Sequence, residues 1–125
     1  MEWTDLNGNF WLFGGIDHTG GVHNALWKYN VSSNEWTWMK GSSISNDTGF
    51  YGIQGVANVN NNPPPRKFGF VSWVSQNGDL WLFGGGKTSS TTECYNDLWK
   101  YSVITNEWTW VKGPNVTNQA GIFGK

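Results

Sequence analysis

Two short apolar runs, each followed by a glycine pair, dominate the pattern of the chain: residues 9–15 (NFWLFGG) and 79–85 (DLWLFGG). Each run has the length of a strand, and its nearly unbroken apolar character predicts a strand buried on both faces. The glycine pairs indicate backbone with positive φ or a close approach, and we expect each strand to stop there. The chain therefore contains two copies of one structural unit.

Each copy continues with two segments in which apolar and polar residues alternate. Residues 24–29 (NALWKY) match residues 96–101 (NDLWKY), and residues 35–39 (EWTWM) match residues 107–111 (EWTWV). Alternation with a period of two and a high content of β-forming residues predict half-buried strands. The small and polar residues between the two segments predict a turn, so that each copy contains a hairpin.

A further strand precedes the glycine-pair strand in the second copy. Residues 66–73 (RKFGFVSW) predict this strand, and residues 76–78 (QNG) predict a tight hairpin turn after it. Only residues 1–3 correspond to it in the first copy, so we expect a shortened first strand there. The proline-rich end of residues 42–65 predicts an extended connector on the surface. The expected organisation is a first unit (1–41), a connector (42–65), a second unit (66–113) and the start of another connector (114–125).

Aromatic residues make up 17% of the chain although its hydrophobic content is only 38%, so aromatic rings must supply the core. The ten tryptophans form five pairs at equivalent positions of the two copies. We expect the cores within and between the units to bury most of each of the following rings: Trp11, Phe13, Trp27, Tyr29, Trp36, Trp81, Phe83, Trp99, Tyr101 and Trp108.

Charge and cysteine content exclude several classes of function. A net charge of −1 with 14% charged residues provides no field that would attract nucleic acid or an anionic membrane. The sequence has no apolar run near the roughly 18 residues of a membrane span and no signal peptide, so we expect a soluble chain of unknown compartment. Cys94 is the only cysteine, which excludes a disulfide within the chain.

A unit of four antiparallel strands with a period of about 70 residues is typical of a β-propeller blade. The motif residues resemble those of the kelch repeat, which also occurs in galactose-oxidase-like central domains. They are Arg66, Gly69, Gly84, Gly85, Tyr101 and Trp108 in the second copy and Gly14, Gly15, Tyr29 and Trp36 in the first. The resemblance implies an all-β fold of two kelch-type blades, the first one truncated at its first strand.

Two loops differ between the otherwise matched copies, because residues 86–95 contain two residues more than residues 16–23. Loops that vary on a constant framework carry binding residues most often, and we expect contacts to a ligand or partner there. The candidate residues are Asp17, His18, His23, Lys87, Thr88 and Tyr95.

The sequence favours neither a metal nor a cofactor. Residues 84–88 (GGGKT) resemble the end of a phosphate-binding loop, but Trp81 stands where the first glycine of that motif belongs. Asp17 and two histidines are too few ligands for a metal site. The second copy also has no histidine at the equivalent positions. Cys94 and Tyr95 suggest a copper-radical oxidase, but adjacent residues of a strand point apart and histidines are too few. We therefore expect no catalytic residues.

Glu35 and Glu107 occupy equivalent positions, which indicates a role in the repeat. We expect each to bond Arg66 or a turn amide, because an acid–base pair would need two different environments.

Three functions are compatible with these patterns. The first is a non-catalytic scaffold that binds a protein or a glycan through its rim loops. The second is a carbohydrate-binding or sugar-oxidising domain of a secreted galactose-oxidase-like enzyme. The third is a fragment or engineered piece whose property is assembly. Two units alone would expose two aromatic faces, so we expect several copies to close a ring. The resemblance implies six blades and hence favours a trimer, with a dimer or tetramer as alternatives.

Overall fold

The computed structural model of the chain describes residues 1–87, 93–122 and 124, and it contains two antiparallel sheets and no helix among those residues. Sheet 1 has four strands in the order β1, β2, β3, β4, and sheet 2 has five in the order β5, β9, β8, β7, β6. The strands are β1 (Glu2–Thr4), β2 (Phe10–Ile16), β3 (Val22–Asn30), β4 (Glu35–Lys40), β5 (Ala57–Asn58), β6 (Phe68–Val74), β7 (Leu80–Gly86), β8 (Cys94–Ser102) and β9 (Glu107–Lys112).

The spacing of seven between tyrosine and tryptophan follows from the geometry of a hairpin. Tyr101 on β8 pairs directly with Trp108 on β9. The turn between them contains Asn106 with a φ of 57°, a conformation that asparagine tolerates better than most residues. The hydroxyl of Tyr101 donates a hydrogen bond of 2.6 Å to the side-chain oxygen of Asn106. The β3–β4 hairpin of sheet 1 has the same register and the same bond from tyrosine to asparagine.

The glycine pairs lie inside their strands, so the prediction that they end the strands is wrong. β2 continues to Ile16, and its register with β3 shifts between Phe13 and Gly15. Gly14 and Gly15 have φ angles of 73° and 122°. A Cβ atom on Gly14 would lie 3.1 Å from the carbonyl oxygen of Arg66. The pair therefore creates an irregularity in the ladder and allows the segment around Arg66 of the same chain to approach closely.

The core lies between one face of sheet 1 and one face of sheet 2. The ring centroids of Phe13 and Trp108 are 5.7 Å apart, and those of Trp11 and Tyr101 are 5.5 Å apart. The buried residues of this core are Trp3, Trp11, Phe13 and Leu26 from sheet 1 and Leu80, Leu82, Trp99, Tyr101 and Trp108 from sheet 2. Burial of one large apolar side chain stabilises the fold by about 2 to 3 kcal/mol.

The prediction that all the repeated aromatic rings are buried is wrong for several positions of the single chain. Trp27, Trp36 and Phe83 are 40%, 51% and 42% exposed, whereas their counterparts Trp99, Trp108 and Phe13 are at most 1% exposed. The physical reason is that each sheet has two faces and only one face of each meets the other sheet.

The connector is more involved in the fold than the sequence predicts. Its short strand β5 pairs with β9, and residues 61–65 are buried, so the predicted surface location is wrong there. Proline has no N–H group to donate to a main-chain carbonyl oxygen. Asparagine side chains of the connector supply donors instead. The amide of Asn61 donates to the carbonyl oxygens of Trp108 at 2.9 Å and Val56 at 3.0 Å. These bonds attach the connector to sheet 2.

Candidate functional site

A cleft of about 450 Å³ opens between the connector and the end of sheet 2 at which Gly84 and Gly85 lie. One wall comes from the connector that follows sheet 1, and the other comes from β7, β8 and the segment after β9. The residues that line it include Asp47, Tyr51, Pro65, Lys87, Tyr95 and Thr117. A concave surface with two aromatic rings and a few polar groups is the usual form of a small-ligand site.

A buried ion pair between Arg66 and Asp97 lies behind the lining of the cleft, in contact with its two tyrosines. Both nitrogens of the guanidinium end contact the carboxylate at 2.7 Å, and both side chains are fully buried. Arg66 also donates to the carbonyl oxygen of Gly84 at 2.6 Å. The Asp97 carboxylate accepts two more bonds, from the hydroxyl of Tyr51 at 2.5 Å and from the indole of Trp99 at 2.8 Å. A buried charge pair needs such additional donors to offset the loss of hydration.

The two tyrosines of the cleft keep their protons at neutral pH. Burial raises the pKa of Tyr95 to about 12, against the opposing effect of Arg66, whose guanidinium lies 4.5 Å from the ring centroid. Burial first and the Asp97 carboxylate second raise the pKa of Tyr51 further. The cleft therefore presents phenol groups and no phenolate.

Two of the six candidate loop residues lie at this cleft. Lys87 lines it and makes an exposed ion pair of 3.4 Å with Glu93, a weak contact in water. Tyr95 lines it as well, but it is a buried residue of β8 and no part of a loop. Thr88 lies outside the described residues.

The other candidates belong to sheet 1 and its β2–β3 loop, and they do not line the cleft. Asp17 accepts hydrogen bonds from the hydroxyl and amide of Thr19 and from the amide of Gly21, and its carboxylate lies 3.1 Å from the ring of His23. The Thr19 hydroxyl first, the Gly21 amide and His23 hold the pKa of Asp17 well below its usual range, although burial opposes them. His18 is exposed. His23 is a residue of β3, so the predicted loop ends earlier than expected.

Asp17 and His23 line a separate groove of about 490 Å³ on the outer face of sheet 1. Trp27 and Trp38 form its apolar wall, and Ala25 lies at its base. The structure thus distributes the candidate residues over two openings.

Metal-binding side chains do not cluster in the described part of the chain. Residues 1–87, 93–122 and 124 contain no group of three metal-binding side chains. Cys94 is exposed while Tyr95 is buried, so the two side chains point apart. Arg66 pairs with Asp97, so the prediction that Glu35 or Glu107 bonds Arg66 is wrong. Glu35 is exposed.

Sequence reasoning missed Asp97 and Tyr51, whose hydrogen bond joins the buried ion pair to the lining of the cleft. A signal was present, because Asp97 aligns with Ala25 in the middle of otherwise matching strands. A charge in one copy and a methyl group in the other indicates a local partner, here Arg66, which has no counterpart in the first copy.

The fold and the cleft define an all-β protein of two antiparallel sheets. A scan against protein-family profiles finds no match. Similar curated proteins are the multiple epidermal growth factor-like domains protein 8 of Homo sapiens, 26% identical over 115 residues, and that of Mus musculus, 27% identical over 115 residues. The matches cover 91% of this chain but 4% of each relative, so the chain spans a small part of their length.

The name of these relatives does not describe this chain. Domains of the epidermal growth factor type are rich in disulfides, whereas this chain has one cysteine. In the part of the chain that the structure describes, no helix is long and apolar enough to cross a membrane.

Proposed function

We propose that this chain is a pair of kelch-type propeller blades that associates head to tail with further copies into a closed ring, and that the ring is a non-catalytic scaffold. The observation that carries the proposal is a correspondence of faces. The face that each sheet exposes matches, position by position, the face that the other sheet buries.

The outer face of sheet 1 matches the buried face of sheet 2. Leu12, Trp27 and Trp36 are 39%, 40% and 51% exposed, and they align with Leu82, Trp99 and Trp108, which are fully buried against sheet 1. The full exposed set on this face is Phe10, Leu12, Trp27, Trp36 and Trp38. A patch of five large apolar residues is more than a soluble monomer usually presents.

The outer face of sheet 2 matches the buried face of sheet 1 in the same way. Trp73 and Phe83 are 41% and 42% exposed, and they align with the buried Trp3 and Phe13. This correspondence supports a contact between the outer face of sheet 2 of one chain and the outer face of sheet 1 of the next. Such a contact is heterologous, and it closes a ring when its rotation matches that of the contact within the chain.

The exposed surface area supports the same conclusion. The chain exposes 7336 Å², whereas a compact monomer of its mass, 14.0 kDa, exposes about 6,700 Å². With one cysteine and no disulfide, burial of the two outer faces is the available source of further stability. The kelch resemblance favours three chains and six blades, and rings of two or four chains remain the alternatives.

Sedimentation velocity on two charge variants tests the proposal. Leu12→Glu blocks the outer face of sheet 1, and Phe83→Glu blocks that of sheet 2. We expect each variant alone to sediment as one chain, because burial of an unpaired carboxylate in an apolar contact is unfavourable. We expect an equimolar mixture to form a one-to-one pair through the two intact faces. The control is Ile104→Glu, at a turn residue that is 86% exposed, which should leave the assembly intact.

Wild-type protein that sediments as a single folded chain would overturn the assembly. A self-association that persists in both variants and does not depend on mixing would overturn the head-to-tail geometry.

A second candidate function is the binding of a small polar ligand, such as a glycan, in the cleft between the connector and sheet 2. The specific observation is that Tyr51, Tyr95 and Lys87 converge on it, since aromatic rings stack on sugars and polar groups fix their orientation. Calorimetric titration with simple saccharides tests this function. Lys87→Ala should weaken binding, and Lys112→Ala, at an exposed lysine that does not line the cleft, should not.

A further inference from the structure

Tyr51 shows how a segment of one unit anchors itself on the next. It lies in the connector after sheet 1, but its ring packs on sheet 2, with centroids 5.0 Å from those of Trp99 and Trp110. Its hydroxyl reaches Asp97 at the base of the same site. The connector thus inserts one aromatic ring into a tryptophan groove on the neighbouring sheet.

Sheet 1 has the same groove without such a ring. Trp27 and Trp38, the counterparts of Trp99 and Trp110, line the groove of about 490 Å³ described above and are 40% and 51% exposed. Ala25 stands at the position of Asp97. At this position the groove therefore presents a methyl group in place of the carboxylate that accepts the Tyr51 hydroxyl in sheet 2.

The C-terminal segment repeats the sequence of the connector that carries Tyr51. Residues 121–124 (GIFG) match residues 49–52 (GFYG) at the offset of 72 that relates the two units. Phe123 thus corresponds to Tyr51, and it lacks the hydroxyl group. The loss of the hydroxyl in the segment and the loss of the carboxylate in the groove are complementary changes.

The segment also begins along the same path. Asn46 and Asn118 have φ angles of 59° and 60°. Asn46 exchanges two hydrogen bonds with Val22 at the start of β3, and Asn118 exchanges the equivalent two with Cys94 at the start of β8. The two connectors therefore leave their sheets in the same way.

The groove that the C-terminal segment would reach belongs to a second chain. Ala120 and Ile122 lie beside Phe83 and Leu98 on the outer face of sheet 2. Sheet 1 of the same chain covers the opposite face, so its own groove is on the wrong side. A sheet 1 that docks on the outer face of sheet 2 places its groove where the segment leads.

We propose that the C-terminal segment of one chain inserts Phe123 between Trp27 and Trp38 of a second copy, over Ala25. This inference rests on the head-to-tail association proposed above and adds the anchor that holds it. The anchor contact is apolar, whereas the corresponding contact within the chain contains the Tyr51–Asp97 bond.

The first test compares Phe123→Ala with the control Ile104→Ala by sedimentation equilibrium. A buried aromatic anchor at an interface is a typical hot spot, so we expect Phe123→Ala to weaken association by at least about tenfold. Ile104 is 86% exposed in the turn between β8 and β9, and its replacement should change the association constant less than about threefold. Equal association constants for wild type and Phe123→Ala would overturn the inference and leave the ring itself standing.

The second test removes the dependence on ring formation. The full-length Phe83→Glu chain keeps the outer face of sheet 1 free, and a synthetic peptide of residues 114–125 serves as the probe. We expect the peptide to change the tryptophan fluorescence of this chain in a saturable way, and the same peptide with alanine for Phe123 to bind at least about tenfold more weakly. No binding, or equal binding of the two peptides, would overturn the inference whether or not wild-type chains associate.

Discussion

Asp97 is fully buried and is the residue on which the buried polar contacts of sheet 2 converge. Its carboxylate accepts bonds from Arg66, Tyr51 and Trp99. These three residues come from three separate segments, so one side chain joins the connector, the start of β6 and β8. Removal of one partner from such a network leaves the others without compensation.

We predict that Asp97→Ala destabilises the chain by about 3 to 5 kcal/mol, because it leaves the Arg66 guanidinium buried and unpaired. The double variant Arg66→Met with Asp97→Ala should be less destabilised than the single variant, since it removes both charges. Urea denaturation followed by tryptophan fluorescence measures both. A double variant at least as unstable as Asp97→Ala alone would show that the pair itself, rather than the unpaired charge, determines the cost.

Asp5 determines a pH dependence at the turn before β2. Burial alone raises the pKa of Asp5, but hydrogen bonds from the indole of Trp11 and from Asn9 and Asn7 outweigh it and hold the pKa below its ordinary value of 3.8. A carboxyl group whose pKa is lowered by folding stabilises the fold above its unfolded pKa, and this contribution is lost as the pH falls through the folded pKa.

We therefore predict that the thermal midpoint falls as the pH drops below about 4. The control is Asp5→Ser, which introduces the residue that the second copy carries at the equivalent position, Ser75. It should have a lower midpoint at neutral pH and a smaller loss in acid. Calorimetric melting across the acid range checks this, and an unchanged slope in Asp5→Ser would assign the acid loss to other carboxylates.

At the scale of the element, the two tryptophan hairpins have nearly the same sequence in different surroundings. Trp108 of β9 is fully buried between the sheets, and Trp36 of β4 is 51% exposed. Because the two hairpins have nearly the same strand propensity, a difference in stability between equivalent variants measures the contribution of packing.

We predict that Trp108→Ala destabilises the single chain by about 3 to 5 kcal/mol, as large-to-small replacements in a core do. The matched variant Trp36→Ala should cost less than about 1 kcal/mol in the monomeric Phe83→Glu chain, because its ring is half in water there. In wild type it should instead reduce association. Chemical denaturation in the two backgrounds measures both effects, and equal losses in the monomeric background would contradict the burial difference.

The sequence predicts the strands well because their signals are local. Alternation in residues 96–101 and 107–111 and the turn at residues 76–78 correspond to β8, β9 and the hairpin between β6 and β7. The path of the glycine pairs and the burial of residues 61–65 depend on what packs against them. A pattern within one strand cannot contain that information, because the neighbouring segment is distant in sequence.

The candidate site was predictable only in part for the same reason. The difference in loop length between the two copies predicts Lys87 and Tyr95 as contact residues, and both line the cleft. Tyr51 comes from a connector without periodicity, and its role depends on Asp97, 46 residues later. Only the exchange of aspartate for alanine between the copies marks this contact in the sequence.

At the scale of the whole molecule, the proposed association makes stability depend on protein concentration. Any partner that binds the folded chain alone raises the apparent stability, and here the partner is the chain itself. We predict that the thermal midpoint of wild type rises over roughly two orders of magnitude of concentration. The midpoint of Leu12→Glu should stay constant. A constant midpoint for wild type would mean that the outer faces remain open to water.

The exchange of Asp97 for Ala25 limits the symmetry of any ring that the chain builds. The contact within a chain contains a buried ion pair, and the contact between chains would be apolar, so the two kinds of junction would alternate around the ring. A six-bladed ring of this kind is threefold symmetric and not sixfold. Tyr51 would lie over Asp97 at each junction within a chain, and Phe123 would lie over Ala25 at each junction between chains. One buried carboxylate thus distinguishes the junction within a chain from the junction that would form between chains.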